Sequence, residues 1–213
     1  MSCGSAHGDA CRHGRLAWCS GCDIVGTVVS VNSTYLLVLS EREAIAWVLS
    51  EQRMAFPASR SMSVRTLAVG DGLLLYATRD AWHRPIRDRG RIFGAATVAS
   101  TVSDLDVPVE IAERQFGSAC ELRIDGVVPY PGGLELQPLV HKLAAFPKPE
   151  AWSAYMRRTL VSLPGEDATL LRDLLAPMLT TRRQALQTYH DAVPRRRRGL
   201  YLSPGSGIHD SSQ

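Results

Sequence analysis

The 213-residue sequence contains no long apolar run. A helix that crosses a membrane needs about 20 consecutive apolar residues, and no stretch of this sequence approaches that length. The N-terminal residues MSCGSAHGDACRHGRLAW also lack the continuous apolar segment of a secretory signal. We therefore expect a soluble cytoplasmic protein with no membrane partner.

Cysteine is scarce beyond the N-terminus, because only Cys120 of the five cysteines lies after residue 22. An odd cysteine count in a chain without a secretory signal argues against a disulfide framework. A zinc ribbon normally has two C-x2-C pairs, and this sequence has one. We therefore predict no metal and no other cofactor; the candidate zinc ligands, should a site exist, are Cys11, His13, Cys19 and Cys22. Residues 1–33 are predicted to be a poorly ordered Cys/Gly-rich leader, or to follow a start codon assigned upstream of the real one.

The common catalytic motifs are also missing. The sequence has no G-x-S-x-G, no Walker loop and no H-E-x-x-H. Asp71, Asp80, His83 and Asp88 could assemble a nuclease-like site, but no paired-carboxylate spacing marks one. We therefore expect a protein without catalytic activity.

Lysine is nearly absent, with two residues against 22 arginines, and the charges are unevenly distributed. Residues 53–91 carry eight arginines and three aspartates, whereas residues 102–138 carry seven acids and two arginines. The C-terminal residues 179–213 are basic again, with six arginines against two aspartates. A basic region suits a phosphate backbone, although charge runs are also typical of ordinary solvated surface.

Short apolar runs predict several strands and helices. The run Tyr35–Leu39 is long enough for a buried strand and too short for a buried helix. Ser40 and Glu43 have the spacing of a capping box, which predicts a helix over residues 41–52. Further strands are predicted at residues 73–77, 92–102, 119–128 and 134–136, and further helices at 139–145, 149–159, 164–175 and 180–192.

Irregularly spaced strands followed by short helices favour an α+β fold over a parallel βαβ sheet. We expect a small curved or barrel-like, mostly antiparallel sheet with helices packed outside. This domain is predicted to span residues 34–180. Residues 181–213 are predicted to form a C-terminal helix and a basic, disordered tail that includes Arg195–Arg198.

The order of these segments resembles a known family. After the first strand come a helix with Trp47, a V-G-D turn at 69–71, a G-x-I-x-G strand at 90–94 and L-V-x-K-L-x-x-F at 139–146. The series is similar to the EVE domains, relatives of the YTH and ASCH groups in the PUA-like superfamily. The resemblance implies a PUA-like barrel whose pocket holds a modified or flipped base of DNA or RNA. It also implies a bacterial protein linked to defence or restriction, with nucleic acid as its partner.

A base removed from its stack needs a flat or apolar wall, polar groups for its edge, and cations for the flanking phosphates. Trp82 is the leading candidate for the wall, because it lies in a polar segment with no evident role in the core. The predicted base-pocket residues are Trp47, Phe56, Ser59, Ser61, Tyr76 and Trp82. The predicted phosphate-binding residues are Arg60, Arg65, Arg79, Arg84 and Arg87. The alternative is that an enzyme or a small-ligand sensor uses the same pocket.

Overall fold

A computed structural model of the protein describes residues 32–57, 64, 66–83 and 88–193. In this part of the chain, eight strands join into one sheet with the order β2-β6-β4-β3-β1-β8, while β5 pairs with β6 and β7 pairs with β4. The strands are β1 (Thr34–Leu39), β2 (Arg53–Phe56), β3 (Gly72–Ala77), β4 (Arg91–Val98), β5 (Ser103–Ile111), β6 (Arg114–Val127), β7 (Leu134–Glu135) and β8 (Leu160–Leu163).

The central strands β1 and β3 run parallel, whereas the other strand pairs of the described residues are antiparallel. Both strands are apolar runs, as strands covered on both faces must be. Successive side chains of a strand point to opposite faces, so Leu37 and Leu75 enter one core while Leu36 and Leu74 enter another. The sheet therefore separates two apolar cores.

The longest strand, β6, joins two parts of the sheet. Its first half pairs with β2 and β5, and its second half pairs with β4. The pairing register with β4 shifts between Ala95 and Ala96, as at a β-bulge, which increases local twist and bends a strand. The α+β class, with a curved, mostly antiparallel sheet and flanking helices, is confirmed.

Three α-helices of the described residues flank this sheet: α1 (Arg42–Glu51), α2 (Gly165–Leu175) and α3 (Arg182–Ala192). Helices α1 and α3 cover the core that contains Leu37, and α2 covers the other. Short 3-10 segments at Gln137–Lys142 and Pro149–Arg157 also pack against the second core. Helix α3 was assigned by sequence to the C-terminal segment, yet its Ala185 and Tyr189 are buried in the first core.

Several local expectations differ from the structure. Helix α1 begins at Arg42, with Glu41 as its N-cap and no side-chain cap bond, so the capping box at Ser40 and Glu43 does not form. The capping box of the structure opens α3 instead, between Thr181 and Gln184. The strands β2, β5 and β8 were not predicted, because four-residue or mostly exposed strands give little periodic signal. The segment predicted as a helix over 149–159 is 3-10 over Pro149–Arg157.

No helix among the described residues is long and apolar enough to span a membrane.

Candidate functional site

Two cavities meet where the chain passes from β1 into α1. Ser40 and Glu41, which form this connection, line both of them. The smaller, which we call the small cavity, has a volume of about 120 Å³. The larger, which we call the large cavity, has a volume of about 710 Å³. A ligand in one cavity would therefore touch the same short connection as a ligand in the other.

The small cavity has a mainly apolar wall. Trp47 reaches it from α1, Met54 from β2, and Ile111 and Phe116 from the β5–β6 hairpin. Trp47 is half-buried, so part of its ring remains open. The volume of about 120 Å³ is several times the space of about 10–15 Å³ that one water molecule needs. A space of this size and lining suits one small, flat, largely apolar group.

A tight turn brings the β5–β6 hairpin to the small cavity. Ala112 and Glu113 both have left-handed φ angles, 49° and 64°, as in the two-residue turns that match strand twist. The turn places Arg114 at the cavity, with its guanidinium carbon 5.9 Å from the centroid of the Phe116 ring. The cavity thus has a cation at one wall, held near an aromatic face.

The large cavity carries exposed cations. Arg79 reaches it from the end of β3, Arg89 from the segment before β4, and Arg157 from the 3-10 segment. Arg79 lies 3.8 Å from Asp80, but both side chains are mostly exposed, and such pairs contribute little. The acids Glu41, Asp80 and Glu135 also line the cavity, so its charge is mixed. Its volume falls within the range of about 300–1,000 Å³ that is typical of ligand pockets.

The segment after β3 is fixed against the start of α1. The Arg42 amide donates to the Ala81 carbonyl at 3.1 Å, and His83 Nε2 lies 3.8 Å from Glu41 Oε2. His83 adopts φ 57°, a left-handed conformation that is uncommon for a residue other than glycine. Glu41, Glu43 and His83 have ligand atoms within 4.8 Å of one another. We assign no metal to them, because Glu43 bonds to Arg42 and carboxylates are favoured at a helix N-terminus in any case.

Three of the predicted base-pocket aromatics are buried. Phe56 is fully buried in the core, and Tyr76 is 2% exposed, with burial raising its pKa to about 12. A side chain at Gly90 would collide with the Tyr76 hydroxyl, since a Cβ there would lie 1.9 Å from it. Trp82 is 8% exposed. Among these candidates, the structure leaves a half-buried ring at a cavity wall only for Trp47.

Trp82 belongs to an aromatic cluster. Its ring centroid lies 4.3 Å from that of Tyr130 and 6.0 Å from that of Tyr189. The Tyr189 hydroxyl donates to the Val128 carbonyl at 2.7 Å, which anchors α3 to the end of β6. Trp82 therefore has a packing partner on α3 that the local sequence could not reveal.

The remaining predicted site residues fall mostly outside the part of the chain that the structure describes. Arg79 is the predicted phosphate-binding residue that the structure describes, and it lines the large cavity. The remaining candidates lie outside the described residues: Ser59, Arg60, Ser61, Arg65, Arg84, Arg87, Cys11, His13, Cys19 and Cys22.

Several cavity residues were not among the sequence candidates. Ser40 and Glu41 were interpreted as part of a helix start, whereas the structure shows that they line two cavities. Phe116 and Arg114 lie on a strand whose first residues gave no clear signal. Arg157 is more than 60 residues from the other cations of the large cavity, so only the tertiary fold brings them together.

No protein-family model and no curated protein matches this sequence. Some solved structures are similar at low identity. A protein from Pseudomonas syringae is 14% identical with a TM-score of 0.46, over 67% of this chain and 99% of that one. The YTH domain-containing protein Mmi1, solved in complex with RNA, is 11% identical with a TM-score of 0.46, over 68% and 81%. The Pho92 YTH domain, in complex with m6A, is 15% identical with a TM-score of 0.46, over 68% and 83%. Likenesses at this level assign neither a family nor a function to this chain.

Proposed function

We propose that this chain is a non-catalytic nucleic-acid-binding module that accepts one base in the small cavity. The observation that carries the proposal is the junction at Ser40 and Glu41. There, a cavity with an aromatic wall adjoins a larger cavity with three exposed arginines. A single nucleotide requires this combination, because its base and its phosphates need opposite environments.

The small cavity can replace the stacking and polar contacts that a base loses when it is unstacked. The Trp47 ring can replace a stacking neighbour, a contact that contributes about 1–3 kcal/mol per base. Glu41, Ser40 and Arg114 supply acceptors and donors for the edge of the base. Apolar Met54 and Ile111 favour a base that carries an additional methyl group, since burying one such group contributes about 0.8 kcal/mol.

The large cavity offers a path for the flanking backbone. Arg79, Arg89 and Arg157 can each contact a phosphate, and each such contact releases a counterion. The three carboxylates of the same cavity weaken indiscriminate attraction of polyanions. Affinity is therefore expected to depend on the base in the small cavity as well as on charge.

Membership of the EVE branch of the PUA-like superfamily is part of this proposal. The motif residues occupy definite places in the fold: the V-G-D turn leads directly into β3, and G-x-I-x-G runs into β4. The L-V-x-K-L-x-x-F motif contributes the buried residues Val140, Leu143 and Phe146 to the second core. A cytoplasmic location is proposed from the sequence, which has no long apolar run and no secretory signal, and a role in defence is proposed from the resemblance.

Fluorescence anisotropy with labelled single-stranded DNA and RNA tests the function. Matched oligonucleotides with plain, methylated and hydroxymethylated bases would be compared at low and at physiological salt. We expect binding at low salt that is strongest for one modified base. Absence of binding to every oligonucleotide at low salt would contradict the proposal.

The second candidate function is that of a small-ligand sensor. It is favoured by the volume of the large cavity, about 710 Å³, and by its mixed charge, which suits a zwitterion or sugar as well as a phosphate. A thermal-shift screen separates the two. Stabilisation by a small polar molecule, with no oligonucleotide binding at low salt, would favour the sensor.

A further inference from the structure

Two buried side-chain atoms among the described residues lack a hydrogen-bond partner. They are Oδ2 of Asp88 and Nε of Arg91. Asp88 is 5% exposed, so its carboxylate has left bulk water without gaining a partner for this oxygen. Buried polar groups in native proteins are almost always paired with protein or with ordered water. The two unpaired atoms therefore call for an explanation.

Both residues line the same small space. A third cavity, with a volume of about 20 Å³, is bounded by Asp88 and Arg91 and by the aromatic cluster of Trp82, Tyr130 and Tyr189. A water molecule needs a cavity volume of about 10–15 Å³ and at least two polar partners. The volume of this cavity is enough for one water molecule, and Asp88 and Arg91 bring polar side chains to its wall.

The chemistry of the two unpaired groups determines which molecule can bind between them. An ionised carboxylate only accepts hydrogen bonds, and a guanidinium only donates them. A cation would satisfy Asp88 but face Arg91, and an anion would satisfy Arg91 but face Asp88. Water can donate to one atom and accept from the other.

We propose that this cavity binds one water molecule, which donates to Asp88 Oδ2 and accepts from Arg91 Nε. The water joins the segment before β4 to the turn after β6, because Arg91 Nη1 also donates to the Pro131 carbonyl. Trp82 and Tyr130, whose rings are in contact, line the same space. This site requires no assumption about the ligands of the small cavity or the large cavity.

A crystal structure that resolves ordered solvent tests the site in the unmodified protein. We expect one fully occupied solvent peak about 2.7–3.2 Å from both atoms. Water-to-protein NOEs to the side chains of Trp82 or Tyr189 should report the same molecule in solution. A direct Asp88–Arg91 ion pair with an empty cavity would overturn the proposal. A peak with the coordination or anomalous signal of a metal would overturn it as well.

Two matched variants test the role of the donor. Arg91→Met keeps most of the side-chain length but removes Nε, and we expect the water peak and its NOEs to disappear. Arg89→Met changes a neighbouring arginine that lines the cavity without a buried orphan atom, and the water should persist. A water peak unchanged in Arg91→Met would refute the assigned hydrogen bond. Loss of the peak in both variants would refute the specific role of Arg91.

Discussion

The ring of Trp82 packs against the ring of Tyr130, with 4.3 Å between their centroids. The ring centroid of Tyr189 in α3 lies 6.0 Å from the centroid of each of these two rings. The segment after β3, the turn after β6 and the C-terminal helix are therefore joined through three aromatic side chains. Trp82, which the sequence favoured as a base-binding residue, thus contributes to the packing of the domain.

Replacing Trp82 with alanine should destabilise the protein. Truncation of a buried aromatic residue costs about 3–5 kcal/mol, and here it also opens a space beside the carboxylate of Asp88. Urea unfolding followed by circular dichroism measures the change. Because Trp82 lines neither of the two cavities of the proposed site, the preference of the folded protein for modified over plain bases should not change. A selective loss for the modified base, with unchanged stability, would restore Trp82 as the stacking residue.

Replacing Trp47 with alanine should reduce base recognition. Loss of one stacking contact of about 1–3 kcal/mol corresponds to an affinity about 5- to 150-fold lower. Anisotropy titrations with modified and plain oligonucleotides measure the effect. Tyr35→Ala is the control, because Tyr35 is half-buried and packs against the same core as Trp47, yet it lines neither the small cavity nor the large cavity. Equal effects of the two substitutions would contradict stacking on Trp47.

Neutralising Arg157 should weaken binding to all oligonucleotides alike. A phosphate contact carries no sequence information, and its removal lowers the slope of log affinity against log salt by about one. Arg157→Gln is compared with Arg123→Gln, since Arg123 is exposed and pairs with Asp125 outside the cavities. Titrations over a series of salt concentrations give both slopes. If both variants keep the original slope, the large cavity is not the backbone path.

Stability should fall at alkaline pH. Burial raises the pKa of Tyr76 to about 12 and that of Cys120 to about 11, and it also raises the pKa of Tyr189. Each folded-state pKa lies above the unfolded value, so these groups favour the folded state below about pH 9. This contribution is lost as the pH rises through the folded-state values, because the unfolded chain releases its protons first.

The alkaline loss should reach about 1.4 kcal/mol per pH unit for each group within its window. Urea unfolding at pH 8, 9, 10 and 11 measures it. Cys120→Ala removes the thiol and should flatten the decline between about pH 9 and 11, relative to the unmodified protein. Identical declines in the two proteins would show that the thiol makes no such contribution.

The sequence predicted those parts of the fold where local pattern and tertiary environment agree. Strands β1 and β3 are continuous apolar runs because helices cover both faces of the central sheet. Strand β5 is mostly exposed and contains Pro108, so neither alternation nor apolar content marked it. Its absence from the sequence prediction also hid the hairpin turn that closes the small cavity.

The site was less predictable than the fold, because its residues come from distant parts of the chain. Arg79 was identified from a local excess of arginine, a signal that does reflect surface position. Arg157 and Phe116 had no such signal. Trp82 was misleading because its polar sequence neighbours concealed a tyrosine more than 100 residues away. Local composition indicates exposure but cannot show which side chains meet.

The close approach of Gly90 to Tyr76 restricts how related proteins can evolve. No side chain fits at position 90 while a tyrosine hydroxyl occupies the adjacent space. A homologue that acquires alanine there should also carry a smaller residue at the position of Tyr76, or a displaced strand. Both residues line the large cavity, so covariation of these two positions would identify, among distant sequences, those that retain its geometry.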